Sequence, residues 1–226
     1  MSDHDSFIDE VTEEVRRDKL FALMRRYGWI GIVAILAIVG GAAWTEWQRA
    51  QTEARAQAFG TAVLAALADD DPAARLAALG AVEAEGGQAA TVRFLAAGEA
   101  LAAKNEPEAI RLLGEVYGDD TLPQSYRHLA ALKWLSVYGD RMVPAQRDTM
   151  IAELTAPGAP YRLLGLEQQA LVHMAEGRAD EAIAILKGIV EDAGVTASLR
   201  RRASEVIVAL GGTAGTEEPG QGRGCG

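Results

Sequence analysis

The sequence predicts an all-α protein in which an N-terminal transmembrane helix is followed by a solenoid of helical hairpins. Three observations lead there. From Tyr27 through Thr45 no Asp, Glu, Lys, Arg or His interrupts a run of Ile, Val, Ala, Leu and Gly. Ala and Leu dominate the rest of the chain, β-branched residues are sparse, and no alternating strand pattern persists. Apolar positions recur three and four apart, which places them on one face of a helix.

The apolar run sets the reading of its surroundings. At about 1.5 Å of rise per residue, residues 27–47 cover roughly 30 Å, the thickness of a bilayer's hydrocarbon core. Tyr27 and Trp29 mark one end, Trp44 and Trp47 the other, at the depth where amphipathic rings settle among headgroups. A soluble helix of this length would carry a polar stripe. Gly41-Ala42-Ala43 has the small residues that a signal peptidase accepts, but the 26 preceding residues are rich in acids, unlike a short basic leader. An uncleaved anchor is expected. The ridge of Ala37, Gly41 and Thr45 reads as ordinary small-residue usage within it.

Residues 1–26 form an N-terminal segment. Ser6-Phe7-Ile8-Asp9 has the spacing of a capping box, predicting a short helix with Ile8, Val11, Val15 and Ala22 near one face and Glu13 paired with Arg17. Arg16, Arg17, Lys19, Arg25 and Arg26 crowd the entry to the span, against Arg49 and Arg55 soon after its exit. The positive-inside rule counts these cations, not net charge, and so places the N-terminus in the cytoplasm and the larger part of the chain outside.

Beyond Trp47 nothing breaks the helical pattern before Asp69-Asp70-Asp71-Pro72. Three consecutive Asp point in different directions, and Asp followed by Pro is a helix start rather than a metal site. The next helix is expected over 73–84, ended by Gly86-Gly87. From residue 90 a repeat emerges. Tyr126-Arg127-His128-Leu129-Ala130 and Tyr161-Arg162-Leu163-Leu164-Gly165 each open a helix, 35 residues apart. Asn105-Glu106-Pro107-Glu108-Ala109-Ile110-Arg111-Leu112-Leu113 is echoed 73 residues later by Arg178-Ala179-Asp180-Glu181-Ala182-Ile183-Ala184-Ile185-Leu186.

Two helices per unit with a period near 34 residues make the tetratricopeptide repeat (TPR) pattern. Antiparallel helices that cross closely need small side chains at the contact and larger ones around it. Leu166, Ala170, Gly177, Ala182 and Leu186 supply this in the last unit, and Ala97, Ala109 and Leu113 in a middle unit, where Lys104 stands at the position of the turn glycine. The TPR-like domain is assigned to residues 48–210, with a closing helix from Ser198 to Leu210. The Gly-rich segment 211–226 reads as a disordered tail.

No catalytic set is visible. His4, His128 and His173 have no Cys or His at ligand spacing, and no P-loop, dinucleotide fingerprint, nucleophile elbow or zinc motif occurs. His173, Trp134 and Tyr138 are expected to pack, and Arg200-Arg201-Arg202 to be a solvated helix start. A net charge of −10 argues against nucleic acid and holds the domain away from anionic headgroups. Cys225 is the single cysteine, so no internal disulfide forms. The expectation is a binding protein with no metal, no cofactor and no catalytic step; its oligomeric state is left open.

The order of parts, with Phe7-Ile8-Asp9-Glu10-Val11 and Arg25-Arg26-Tyr27-Gly28-Trp29 ahead of the span, resembles the YfgM-type ancillary subunits of the SecYEG translocon. That resemblance implies a bacterial inner-membrane protein with a periplasmic TPR-like domain. It further implies association with the Sec translocon and with a membrane-anchored periplasmic chaperone, and no catalytic residues. The weak TPR consensus before residue 160 and the Gly-rich tail depart from the family pattern. A TPR scaffold for another envelope assembly, such as cytochrome maturation or cell division, is the alternative, and an enzyme whose site the sequence hides is the third reading.

Overall fold

The computed structural model describes residues 3–213, with side chains from Arg26 onward except those of Tyr27, Gly28 and Ile32. The described residues are helical, with turns between helices and no strand. The chain divides into two compact units at Thr61 and Ala62.

The first unit belongs to α1, Asp3–Ala66, a single helix of 64 residues. Ser6 lies inside it, which overturns the expected helix start there and the separate short helix that was to follow. Helical propensity explains the continuity, since no Pro and no helix-breaking cluster lies before Asp69. Residues 29–66 contain a stretch long and apolar enough to cross a membrane, none of it buried within the protein. Its large side chains Trp29, Ile30, Val33, Ile35, Leu36, Ile38 and Val39 are between 48 and 72% exposed. In water such a face would be costly; burying it in lipid is worth about 25 cal/mol per Å² of apolar surface.

The second unit holds the last residues of α1, from Ala62, and α2 to α9. Asp71 caps α2, Pro72–Gly80, by accepting from the Ala73 amide, and Pro72 takes the first turn, where its missing N–H costs nothing. α2 stops at Gly80, and α3, Gly86–Ala102, begins at the glycine pair expected to end α2. Gly86 starts that helix at φ 53°, and a Cβ on Gly87 would press on the Tyr126 hydroxyl at 3.0 Å. α4, Glu106–Tyr117, starts at Asn105, whose side chain accepts from the Glu108 amide. α5, Gln124–Tyr138, leads through a 3-10 turn, Gly139–Arg141, into α6, Pro144–Thr155. α7, Arg162–Ala175, α8, Ala179–Glu191, and α9, Ala197–Ala209, complete the unit, the last capped by the Thr196 hydroxyl.

Each helix from α2 to α9 packs against its neighbour in sequence, and α5 also meets α3 and α7. The starts of α3, α5 and α7 are 38 residues apart; those of α4, α6 and α8 are separated by 38 and then 35. The 73-residue echo seen in sequence is therefore one long period plus one short one. The expected period near 34 is too short for the first two intervals, because the 3-10 turn and the connections after Tyr117 and Thr155 lengthen them.

Small residues occupy the closest helix contacts. Ala90, Ala97, Ala100, Ala109, Ala130, Ala131, Ala170, Ala182 and Ala203 are buried, and larger chains such as Leu79, Leu113, Met150, Leu154, Ile189 and Ile207 fill the space between them. One cluster joins α7, α8 and α9 through Ala170, Leu186, Ile189, Leu199 and Ile207. A second joins α5 and α6 through Ala131, Leu135, Met142, Met150 and Leu154. The tightest approach is at Gly165, where an added Cβ would stand 2.7 Å from Leu154 Cβ and 2.9 Å from its carbonyl carbon.

Candidate functional site

The residues expected to anchor the chain in a membrane fall on α1. Trp29, Trp44 and Trp47 are 63, 59 and 55% exposed, and the last two rings tilt against each other at 5.3 Å between centroids. Helical geometry explains that pairing, because residues three apart share a face. Gly41 has open space around the position of a Cβ, and the Thr45 hydroxyl is turned back to the Ala42 carbonyl at 2.9 Å. Arg26 is exposed. The side chains of Arg16, Arg17, Lys19, Arg25 and Tyr27, and of His4, lie outside the described residues, as does the tail from residue 214, with Cys225.

In the helical unit, Ala97, Ala109, Leu113, Ala170, Ala182 and Leu186 are buried. Leu166 is half-buried against the α7–α9 cluster, and Gly177 is exposed in the α7–α8 turn with φ 75°. Trp134 meets Tyr117 edge-on at 6.2 Å and covers Gly114, while Tyr138 packs beside the α5–α6 cluster under the Arg141 guanidinium. The three arginines after Leu199 are individually occupied: Arg200 donates to the Val190 carbonyl, Arg201 pairs with Glu205, and Arg202 holds Glu167 with two hydrogen bonds.

Asp69 and Asp71 serve the backbone. Asp69 accepts from the Asp71 amide, Asp71 caps α2, and Arg75 donates to the Asp69 and Asp70 carbonyls while bonding Glu99. The three carboxylates do not converge, and no group of three potential metal ligands occurs among the described residues. His128 and His173 are also apart in role. His128 is buried on α5, and burial holds its imidazole below the ordinary histidine range. His173 lines a cleft between α6 and α7.

Clefts open on this unit among the described residues. One, of about 510 Å³, lies between the starts of α7 and α9 and is walled by Tyr161, Arg162, Leu164, Asp192, Thr196 and Arg202. Its arginines are engaged, Arg162 with Asp192 at 2.5 Å and Arg202 with Glu167. Another, of about 350 Å³, has Ile151 and Val172 beside Arg147, Gln169, His173 and Glu176. Arg147 reaches both Asp148, 3.2 Å away, and Glu176, 2.8 Å away, and Arg178 closes on the second carboxylate oxygen. These cations depress the Glu176 carboxyl, hydrogen bonding from Arg178 being the largest cause. The Ser and Thr hydroxyls that line these clefts are used locally: Thr196 shares a hydrogen bond with Ser198 and accepts from the Leu199 amide, and Thr155 donates to the Ile151 carbonyl. Sequence spacing had no means of finding these ion pairs, since Arg147 and Glu176 are on different helices.

No family model, no curated protein and no solved structure matches the chain. The exposed apolar length of α1 and the helix pairs of the second unit are the features that bear on function.

Proposed function

We propose that this protein is a membrane-anchored, non-enzymatic protein of the TPR-like type, which binds other proteins outside the cytoplasm beside the bacterial inner membrane. The observation that carries the reading is a helix with no charge between Tyr27 and Thr45 and with large apolar side chains exposed along it, on the same chain as helix pairs recurring at 38 residues. A stack of helix pairs offers extended surface for a segment of another chain and needs no reacting groups.

Within that reading the cations at Arg16, Arg17, Lys19, Arg25 and Arg26 keep the N-terminus in the cytoplasm and the helical unit in the periplasm. A protein held at that position meets chains that emerge from the membrane. The resemblance of the N-terminal segment to translocon ancillary subunits then makes the Sec translocon and a periplasmic chaperone the proposed partners.

The test is copurification of the full chain from membranes in a gentle detergent. Recovery of translocon subunits is expected. Recovery of cytochrome-maturation or division proteins in their place would transfer the chain to the alternative scaffold role, and recovery of neither would remove the reading. A reporter fused after Leu210 that fluoresces only in the cytoplasm would reverse the orientation.

A further inference from the structure

Among the described residues, three buried side-chain polar atoms lack a hydrogen-bond partner: His128 Nδ1, Trp134 Nε1 and His173 Nδ1. His128 is the buried polar residue of the core, at 4% exposure. It stands on α5 one turn before Leu132 and Ala131, whose cluster continues into Met150, Ile151 and Leu154 of α6. α5 and α6 are also the least intimately packed neighbours in the unit, with the 3-10 turn Gly139–Arg141 between them.

Of the charged groups around this joint, Glu153 favours the charged imidazole, Arg127 opposes it, and burial outweighs both. Glu153 of α6 favours its charged form, but one of its oxygens already accepts from the Tyr117 hydroxyl of α4 at 2.9 Å. Arg127, on the same helix, opposes the charge and is itself turned toward the Tyr117 carbonyl and Asp120. On α3, Arg93 pairs with Glu115 and Glu99 with Arg75; on α7, Arg162 pairs with Asp192 and Glu167 with Arg202. A protonated imidazole donates from both nitrogens, and Nδ1 has no acceptor in the closed packing.

We propose that the α5–α6 packing is an acid-sensitive joint, which protonation of His128 opens to uncover the apolar cluster of Met142, Met150, Ile151 and Leu154. Burying an unpaired charge costs more than hydrating it, so the charged state selects the open arrangement. The open joint binds a proton at the ordinary histidine value of about 6.5, and the closed one only at lower pH, because burial disfavours the cation. Closure is therefore fully present above about pH 6.5 and weakens as pH falls, the opening equilibrium changing by at most about tenfold per pH unit for one proton. The weakening ends once pH is below the depressed value of the closed state.

Hydrogen exchange of the full chain in detergent micelles, corrected for the intrinsic pH dependence of exchange, tests this. Amides of α5 and α6 should open more readily between pH 6.5 and 5.0, by up to about 30-fold, while α8 and α9 change little. In His128→Phe that dependence should vanish. A flat profile in the native chain, or one retained in His128→Phe, overturns the proposal. If the variant does not fold, the imidazole resonances of the native chain decide: His128 must titrate at lower pH than His4, and equal titration points would overturn it. None of these outcomes depends on which partner the protein binds.

Discussion

Lys104 and Gly177 hold the same place in two turns 73 residues apart. Both have left-handed backbone, at φ 58° and 75°, and each closes the end of a helix. The amide after Lys104 bonds back to the Ala100 carbonyl at 2.7 Å, and the amide after Gly177 to the His173 carbonyl at 2.8 Å. The turn geometry is conserved within the chain although only one of the two residues is a glycine. Lys104 is the one described residue other than glycine with positive φ.

A left-handed residue with a Cβ costs roughly 1 kcal/mol relative to glycine. Lys104→Gly should therefore stabilise the helical unit by about 1 kcal/mol less the extra chain entropy of glycine, and Gly177→Ala should destabilise it by about 1 kcal/mol. Denaturant midpoints read at constant m-value would reveal both signs. A loss of stability in Lys104→Gly would mean that the lysine side chain contributes more than its backbone costs.

Gly165 admits no side chain, for a different reason. A Cβ there meets Leu154 Cβ, carbonyl carbon and carbonyl oxygen at 2.7, 2.9 and 3.0 Å, and backbone cannot swing aside as a flexible side chain can. Gly165→Ala should cost about 1–3 kcal/mol, despite alanine's better helix propensity. Thermal melting of the variant beside Gly188→Ala, where the space is open, separates the clash from the propensity gain.

Tyr117 predicts behaviour at high pH. Burial, with the hydrogen bond to Glu153 adding to it, pushes the phenol up to about 12. An unfolded tyrosine loses its proton near pH 10, so the folded state binds more protons between about 10 and 12, and stability falls as pH rises through that window. Tyr117→Phe should remove this part of the alkaline loss. Ultraviolet titration should also find a tyrosine ionising above the ordinary range, and its absence would contradict the burial.

The proposed span is tested at Leu36, near its middle and 64% exposed. Leu36→Arg should disfavour insertion by about 3 kcal/mol on translocon scales, whereas Leu36→Ile should not. Resistance to alkaline carbonate extraction reports the difference. Full retention of Leu36→Arg in the membrane fraction would mean that this helix does not lie across the bilayer core.

Much of the fold was legible because its causes are local. The helix start at Asp71-Pro72 needed only capping chemistry, the closing helix expected from Ser198 only a helical period, and the apolar run only the absence of charge. The glycine pair at 86–87 misled for an instructive reason: glycine ends helices and also permits close approach, and contact with Tyr126 selects the second use. Ser6 misled because a capping spacing carries no information on whether the chain before it is already helical.

What the sequence determined by itself is therefore the helical class and the uncharged apolar stretch near the N-terminus, both set by residue type and short-range spacing. Tertiary structure decided which residues meet: Arg147 with Glu176, Tyr117 with Glu153, Gly165 with Leu154, and the burial of His128 without an acceptor for Nδ1. Such pairs join different helices of the second unit, where loop lengths and side-chain volumes jointly fix the register. The lengthened 38-residue intervals are of the same kind, since a 3-10 turn and two longer connections place the helix starts without changing the pattern inside any helix.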